Sequence, residues 1–407
     1  MKRWQYRLLL AALTPWLAVD ALRRYRRAPA GQRRLFEQFG RLREGLPSGG
    51  IWLHAVSLGE VRAAATLLRA LRRRYPSLAV VVSTTTETGA DAARALGVPH
   101  FYAPYDYARV QRRVLRELRP RLLLIMETEL WPNLVAECRR VDVPIAVVNA
   151  RLSDRSMDRY RRWGGALLRE VLAGIDLICA QSPQDRDRFT ELGAPRVAHC
   201  GNLKFDLPLA ETPPTRPDAN RLTWLAASTH PGEEEQVLDA HRRVQEAFPE
   251  ARLLLVPRHP ERAGEVMRLV ESRGLSVGCW GERTGARVEV VDRAGKLAGL
   301  FAEVPVVFMG GSLVPIGGHN PIEPAAVARA VLHGPHVGNF RAVFAALAER
   351  DACWRVEDAR ELGGQVARAF EQAEEWAARG TRAREVIAEH RGATGRVLDR
   401  LAPWLDD

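Results

Sequence analysis

The chain has 407 residues, of which 46% are hydrophobic and 27% charged, with a formal net charge of +11. That length holds two domains of ordinary size, and the apolar content excludes a disordered or collagen-like chain. The positive balance suits a phosphorylated or otherwise acidic partner, but the only lysines are Lys2, Lys204 and Lys296, and so strong a preference for arginine says little about nucleic acid.

At the N-terminus, residues 8–19 (LLLAALTPWLAV) carry no charge, with Lys2, Arg3 and Arg7 before them and Arg23, Arg24, Arg26 and Arg27 after. The run falls short of the roughly 20 apolar residues a spanning helix needs. The arginines behind it oppose export as a signal peptide. The expectation is a shallow anchor with basic flanks on anionic lipid; the bland alternative is a first helix packed on its domain. The five cysteines are scattered, with no CxxC, and read as reduced, cytosolic and structural.

From Ile51 the pattern becomes α/β. Strands are expected at IWLHAV, LAVVVST, residues 122–126, VPIAVVNAR and IDLICAQ, separated by amphipathic helices. Such alternation predicts a parallel sheet with helices on both faces, and ligands beyond the carboxyl ends of its strands. The polar residues just after strands therefore matter most: His54, Ser57 and Glu60, then Thr84 to Thr88, Glu127 and Glu129, Asn149 and Arg151, Gln181 and Ser182. Ser57 and Glu60 have capping-box spacing, so Glu60 is either a helix-cap partner or a general base at the sheet rim. A second cap is expected from Thr84 and Glu87. Glu127 and Glu129, two apart in an extended segment, point to one face. They could orient a sugar hydroxyl, bind a metal, or pair with arginine. Asp185-Arg186-Asp187 has the form of a DxD metal motif, but in SPQDRDRF it reads as the first turn of a helix. No cluster has convincing metal spacing, so no metal is expected.

Residues 207–220 (LPLAETPPTRPDAN) read as a linker. The α/β rhythm then restarts with LTWLAAS, ARLLLVP, RVEVVD, VPVVFMGG and AVLHGPHVGNF. Thr229 to Glu233 suggest another capped helix start, and Arg258 suits a carboxylate or phosphate. The densest stretch is Phe308 to Ala326. A buried strand leads to Gly310 and Gly311, then Gly317 and Gly318, then Asn320-Pro321-Ile322-Glu323 as a helix start. Free backbone N–H groups and a helix N-terminus together predict an anion site here.

In order, the motifs WLHAVSLGE, STTTETG, METELWPN, NARLSDRS, GNLKFD, ASTHPGEEE, VPRHPER, GGSLVPIGGHNPIEPAA and GPHVGNF resemble the 3-deoxy-D-manno-octulosonic acid (Kdo) transferases of lipopolysaccharide synthesis. The resemblance runs to about residue 345. It implies a GT-B glycosyltransferase: two Rossmann-like domains facing across a cleft, with an N-terminal apolar membrane-anchoring segment. The implied division is 1–35 for the membrane segment, 36–206 for the acceptor domain, 207–220 for the linker and 221–407 for the donor domain. The implied donor is CMP-Kdo, with no separate cofactor. The implied acceptor is the acidic, tetra-acylated lipid A precursor, and the implied location is the cytoplasmic face of the inner membrane. No nucleic acid is implied. The resemblance makes Glu60 the general base, with Glu127 or Glu129 orienting the acceptor. Donor binding falls to Lys204, His230, Pro257, Arg258, Ala294, Gly295, Lys296, Asn320, Pro321, Ile322 and Glu323. One departure is Lys296, where the family usually has Glu; a Lys beside CMP would attract phosphate rather than ribose hydroxyls. The competing reading is a sugar-nucleotide epimerase of the same fold, which the apolar N-terminus opposes. A non-enzymatic membrane-associated binding protein would leave the strand-end motifs unexplained.

Overall fold

The structure, a computed structural model, describes residues 2–27, 34–163, 165–209, 222–282 and 285–406. The expected linker lies outside the described residues from position 210 onward. The chain divides into two compact units, Met1–Asp206 with Gly392–Asp407, and Leu207–Arg391.

In the first unit, β1 (Ile51–His54), β2 (Val80–Thr84), β3 (His100–Tyr102), β4 (Leu122–Met126), β5 (Ile145–Ala150), β6 (Leu177–Ala180) and β7 (Val197–His199) form one parallel sheet in the order β3-β2-β1-β4-β5-β6-β7. The central strands are buried along their whole length and are apolar until their carboxyl ends, where His54, Ser83, Thr84 and Asn149 enter. Successive side chains leave opposite faces: Leu53 packs with Val61 and Leu67 on one side, Trp52 with Val114 and Leu134 on the other.

In the second unit, β8 (Thr223–Thr229), β9 (Arg252–Pro257), β10 (Val277–Cys279), β11 (Val288–Val290), β12 (Val306–Met309), β13 (Val331–His333) and β14 (Cys353–Arg355) repeat the plan in the order β10-β11-β9-β8-β12-β13-β14, again all parallel. The expected pair of parallel-sheet α/β units is therefore present. The strand order reverses between β1 and β4 in one unit and between β8 and β12 in the other. The crevice for a ligand opens at such a switch point.

Three expectations change. Strands β3, β7, β10 and β14 were not expected; each is three residues long and lies at or next to a sheet edge. The cap of the helix Glu87–Ala95 is Thr86, whose hydroxyl accepts from Gly89 N, because Thr84 is still in β2. The second unit ends at Arg391, not at the chain end. The helix Ala393–Leu401 buries Ala393, Val397, Leu398 and Leu401 in the first unit's core, and the Asp206 carboxylate accepts from Gly392 N at 2.6 Å and Thr394 N at 2.5 Å. Its apolar stripe is covered there.

The N-terminal segment is one 25-residue helix, Arg3–Arg27, that continues through Pro15. Among the described residues no helix is long and apolar enough to cross a membrane. Polar contacts stitch it to the first unit: Tyr6 Oη donates to Asp106 at 2.9 Å, Arg7 Nε to Asn133 Oδ1 at 3.0 Å, and Tyr107 Oη to Leu10 O at 3.2 Å. Trp4, Leu8, Leu9, Leu13, Trp16 and Val19 remain exposed.

Candidate functional site

At the rim of the first sheet, Ser57 caps the helix Leu58–Arg74 by accepting from Glu60 N. The Glu60 carboxylate turns back, accepting from Val56 N at 2.8 Å and Ser57 Oγ at 2.9 Å. The capping role is therefore real. It leaves a carboxyl group only 7% exposed, and burial pushes its pKa up to about 8. The bonds from Ser57 and Val56 oppose that shift, while the nearby charges of Glu127 and Glu129 add to it. Such a group is matched to proton abstraction near neutral pH.

The other two carboxylates follow β4, across the switch point from β1. Glu127 has φ of 54°, a left-handed conformation uncommon for a side-chain-bearing residue. Glu129 accepts from Trp131 Nε1 at 3.0 Å, and burial, reinforced by Glu127, raises its pKa against that bond. The Trp131 ring packs edge-on to His54 at 4.5 Å, and full burial holds that histidine neutral, with a pKa of about 3. Asn149, also left-handed at φ 55°, accepts from Leu203 N at 3.0 Å and so fixes the turn Leu203–Asp206. That turn carries Lys204, whose pKa is lowered, chiefly by burial and further by Arg151, against the opposing charge of Glu127. Lys204 thus belongs to the first unit, beside Glu127.

In the second unit a cavity of about 310 Å³ opens at the carboxyl ends of β8, β9 and β12. Pro257, Arg258, Ala294, Gly295, Lys296, Asn320 and Glu323 line it. Burial raises the Glu323 pKa, opposed by a 3.0 Å bond from Asn320 Nδ2. Pro321 and Ile322 are buried beneath the wall and fix its backbone instead. His230 reaches the cavity indirectly, its Nε2 2.8 Å from Nε2 of His319, which does line the wall. Ser228, another lining residue, is left-handed at φ 58° where the β8–β9 register slips. It had no signal in the sequence, because a Ser at a strand end is ordinary until its dihedral is known.

The glycine stretch does not work as expected. Gly311 N, Ser312 N and Leu313 N all donate to the Glu233 carboxylate, at 2.6, 3.0 and 2.9 Å. The protein's own fully buried Glu233 occupies this anion site. Gly310 has no alternative, since a Cβ there would meet Ser228 O at 2.7 Å and Glu233 Oε2 at 2.8 Å. The helix after the loop, Ile322–Ala326, has five residues, with Pro321 at its N-cap position and Asn320 Oδ1 accepting from Ile322 N. Likewise the helix of the THPGEEE motif starts at Glu234, without a side-chain cap. Glu234 instead forms a two-point ion pair with Arg262, at 2.9 and 3.2 Å. Three consecutive glutamates at a strand-to-helix junction were the legible hint that some must be buried. In the DxD-like run, Asp185 serves the cap at Ser182 and accepts from Leu152 N at 2.7 Å. Among the described residues no group of three His, Cys, Asp or Glu is arranged to hold a metal ion.

Comparison with known proteins adds independent findings. The family model described as 3-Deoxy-D-manno-octulosonic-acid transferase (kdotransferase) matches residues 33–207. The 3-deoxy-D-manno-octulosonic acid transferase of Haemophilus influenzae is 35% identical over 399 residues, covering 93% of each chain. That of Bordetella pertussis is 36% identical over 431 aligned positions, covering 100% of both. Among solved structures, Acinetobacter baumannii MurG superposes with a TM-score of 0.54 at 11% identity, over 88% of this chain and 100% of that one. A UDP-N-acetylglucosamine 2-epimerase reaches 0.55 at 12% identity, over 88% and 96%. These two likenesses are of fold alone.

Proposed function

The chain belongs to the 3-deoxy-D-manno-octulosonic acid transferase family, and from that premise we propose that it moves Kdo from CMP-Kdo to the acidic, tetra-acylated lipid A precursor. In this proposal it is a GT-B glycosyltransferase of lipopolysaccharide synthesis. The observation that carries the mechanism is the buried Glu60 carboxylate at the β1–β4 switch point, with its pKa raised to about 8. The acceptor hydroxyl oxygen attacks the anomeric carbon of Kdo while Glu60 takes the hydroxyl proton. The bond from that carbon to the CMP phosphate breaks, and its electrons leave with CMP. A carboxylate so placed contributes roughly 10²- to 10⁴-fold. Glu127 or Glu129 orients the acceptor sugar. Lys204 suits the Kdo carboxylate.

The donor nucleotide is assigned to the cavity of the second unit. Arg258 and Lys296 supply positive charge for phosphate, and Glu323 accepts from ribose hydroxyls. The backbone at Ala294-Gly295 and the wall at Asn320 give the nucleotide its shape. No cofactor beyond the donor substrate enters the scheme. The N-terminal helix attaches to the cytoplasmic face of the inner membrane, a reading supported by its exposed Trp4, Leu8, Leu13 and Trp16 and by its basic ends.

Mass spectrometry of the lipid product tests the proposal. Freshly made CMP-Kdo and the tetra-acylated precursor are incubated with wild type and with Glu60→Gln. Addition by wild type alone supports both the reaction and the base. Addition by both returns Glu60 to helix capping. Addition by neither, with CMP still bound, points to another acceptor or to the epimerase reading.

A further inference from the structure

The chemistry above does not use a groove of about 250 Å³ in the first unit, between the helices Pro132–Arg140 and Gly165–Ala173. Pro132, Val135 and Ala136 form one wall, and Leu167, Val171 and Gly174 the other. Pro132, Val135 and Ala136 follow i, i+3, i+4 spacing and Leu167 and Val171 follow i, i+4 spacing, with Gly174 just past the second helix, so each helix turns an apolar stripe to the groove. Charge enters only at the rim, from Arg3, Arg139 and Glu170. Arg3 lies 3.3 Å from Glu170, and Arg139 lies 3.6 Å from Asp176. Both pairs are partly exposed and so weakly held, which leaves the arginines free to turn to a phosphate.

Two continuities say what fills the groove. It begins at Pro132, three residues after Glu129 of the carboxylate rim, on a helix that leads directly away from that rim. Its rim includes Arg3 of the N-terminal helix, whose outer side exposes Trp4 and Leu8. An apolar groove that runs from the proposed acceptor site to a helix with exposed tryptophan and leucine fits a chain that is attached to the acceptor sugar.

We propose that this groove binds one acyl chain of the phosphorylated lipid acceptor while the acceptor's sugar lies at Glu60, Glu127 and Glu129. The proposal rests on the transferase reading above and gives it a means of telling an acylated acceptor from a bare sugar phosphate.

The test obstructs the groove. Gly174 is unsuitable, since a Cβ there would meet Val135 Cγ1 at 2.6 Å. Ala136 is half-buried in the wall, and Ala136→Phe places a ring in the groove. The readout is the ratio of kcat/KM for the tetra-acylated acceptor to that for an analogue bearing two-carbon acyl groups. The expected result is at least a tenfold fall in this ratio. A second measurement needs no variant: wild type is photolabelled with a bis-phosphorylated disaccharide carrying a diazirine-tipped acyl chain. Cross-links are expected in 132–140 and 165–174. An unchanged ratio in a folded variant, or cross-links confined to 3–27, overturns the proposal. So does equal groove labelling by a diazirine phosphatidylglycerol in vesicles, because the occupant would then be bulk lipid. Groove cross-links without sugar transfer by wild type support the groove and refute the transferase reading instead.

Discussion

Glu60 caps a helix and, in the proposed reaction, also serves as the base, and its environment reconciles the two. As a cap it takes two hydrogen bonds, yet burial outweighs them and leaves the carboxyl protonated below about pH 8. A protonated carboxyl cannot accept the acceptor proton, so kcat/KM is expected to rise about tenfold per pH unit up to about pH 8 and then level off. A pH–rate profile that is flat from pH 6 to 9 would remove Glu60 as the base. Lys296 lines the second unit's cavity, at the turn where the resemblance implies a Glu. Lys296→Glu puts a negative charge near the proposed phosphate position, and CMP-Kdo affinity should fall about tenfold or more, the equivalent of 1.4 kcal/mol. Calorimetric titration decides, and an unchanged affinity would remove the contact. Glu60 was visible in the sequence because it sits in a capping-box motif, and Lys296 because it departs from the turn the resemblance implies. Ser228 and Asn149 owe their roles to left-handed dihedrals, which residue type alone does not announce.

Among the elements, the loop from Gly310 to Leu313 illustrates how local pattern and tertiary outcome part. Glycines after a strand spell an anion site, and one is present, but Glu233 fills it from 78 to 80 residues away in the chain. The loop is thus held rigid beside the cavity instead of left open for phosphate. Glu233→Ala would leave the buried N–H groups of Gly311 and Ser312, and the half-buried one of Leu313, without an acceptor, at about 1–3 kcal/mol each. The expected outcome is a loss of at least about 3 kcal/mol in denaturant unfolding of the second unit, accompanied by weaker CMP-Kdo binding. Unchanged unfolding and affinity would refute the anchoring role. Short strands show a related limit. The sequences HFY, VAH, VGC and CWR of β3, β7, β10 and β14 are too brief and too mixed for a periodic signal, and only pairing with an interior neighbour makes them strands.

For the whole molecule, the two units carry separate cores, and the C-terminal helix belongs to the first. Deleting residues 392–407 uncovers Val397, Leu398 and Leu401, each contributing about 1.5–3 kcal/mol of burial. Calorimetry should show the first unit's transition moving down by several degrees or disappearing, while the second unit's stays in place. A drop confined to the second unit would reverse the assignment of this helix. The α/β class, the interior strands and part of the second unit's cavity wall could be read from the residues alone. Buried parallel strands are nearly continuous apolar runs, and rim residues follow them directly, so both leave a one-dimensional trace. Arg258 and Asn320 with Glu323 were legible for that reason, while Pro257 and Ala294-Gly295-Lys296 were legible only through the family resemblance. Three features needed the folded chain: Glu233 in the glycine loop, Lys204 within electrostatic reach of Glu127, and the last helix on the first unit. Each depends on a contact between segments far apart in the chain. Such contacts are chosen by which buried charge needs donors and which apolar stripe needs cover, and neither need specifies its partner in local sequence.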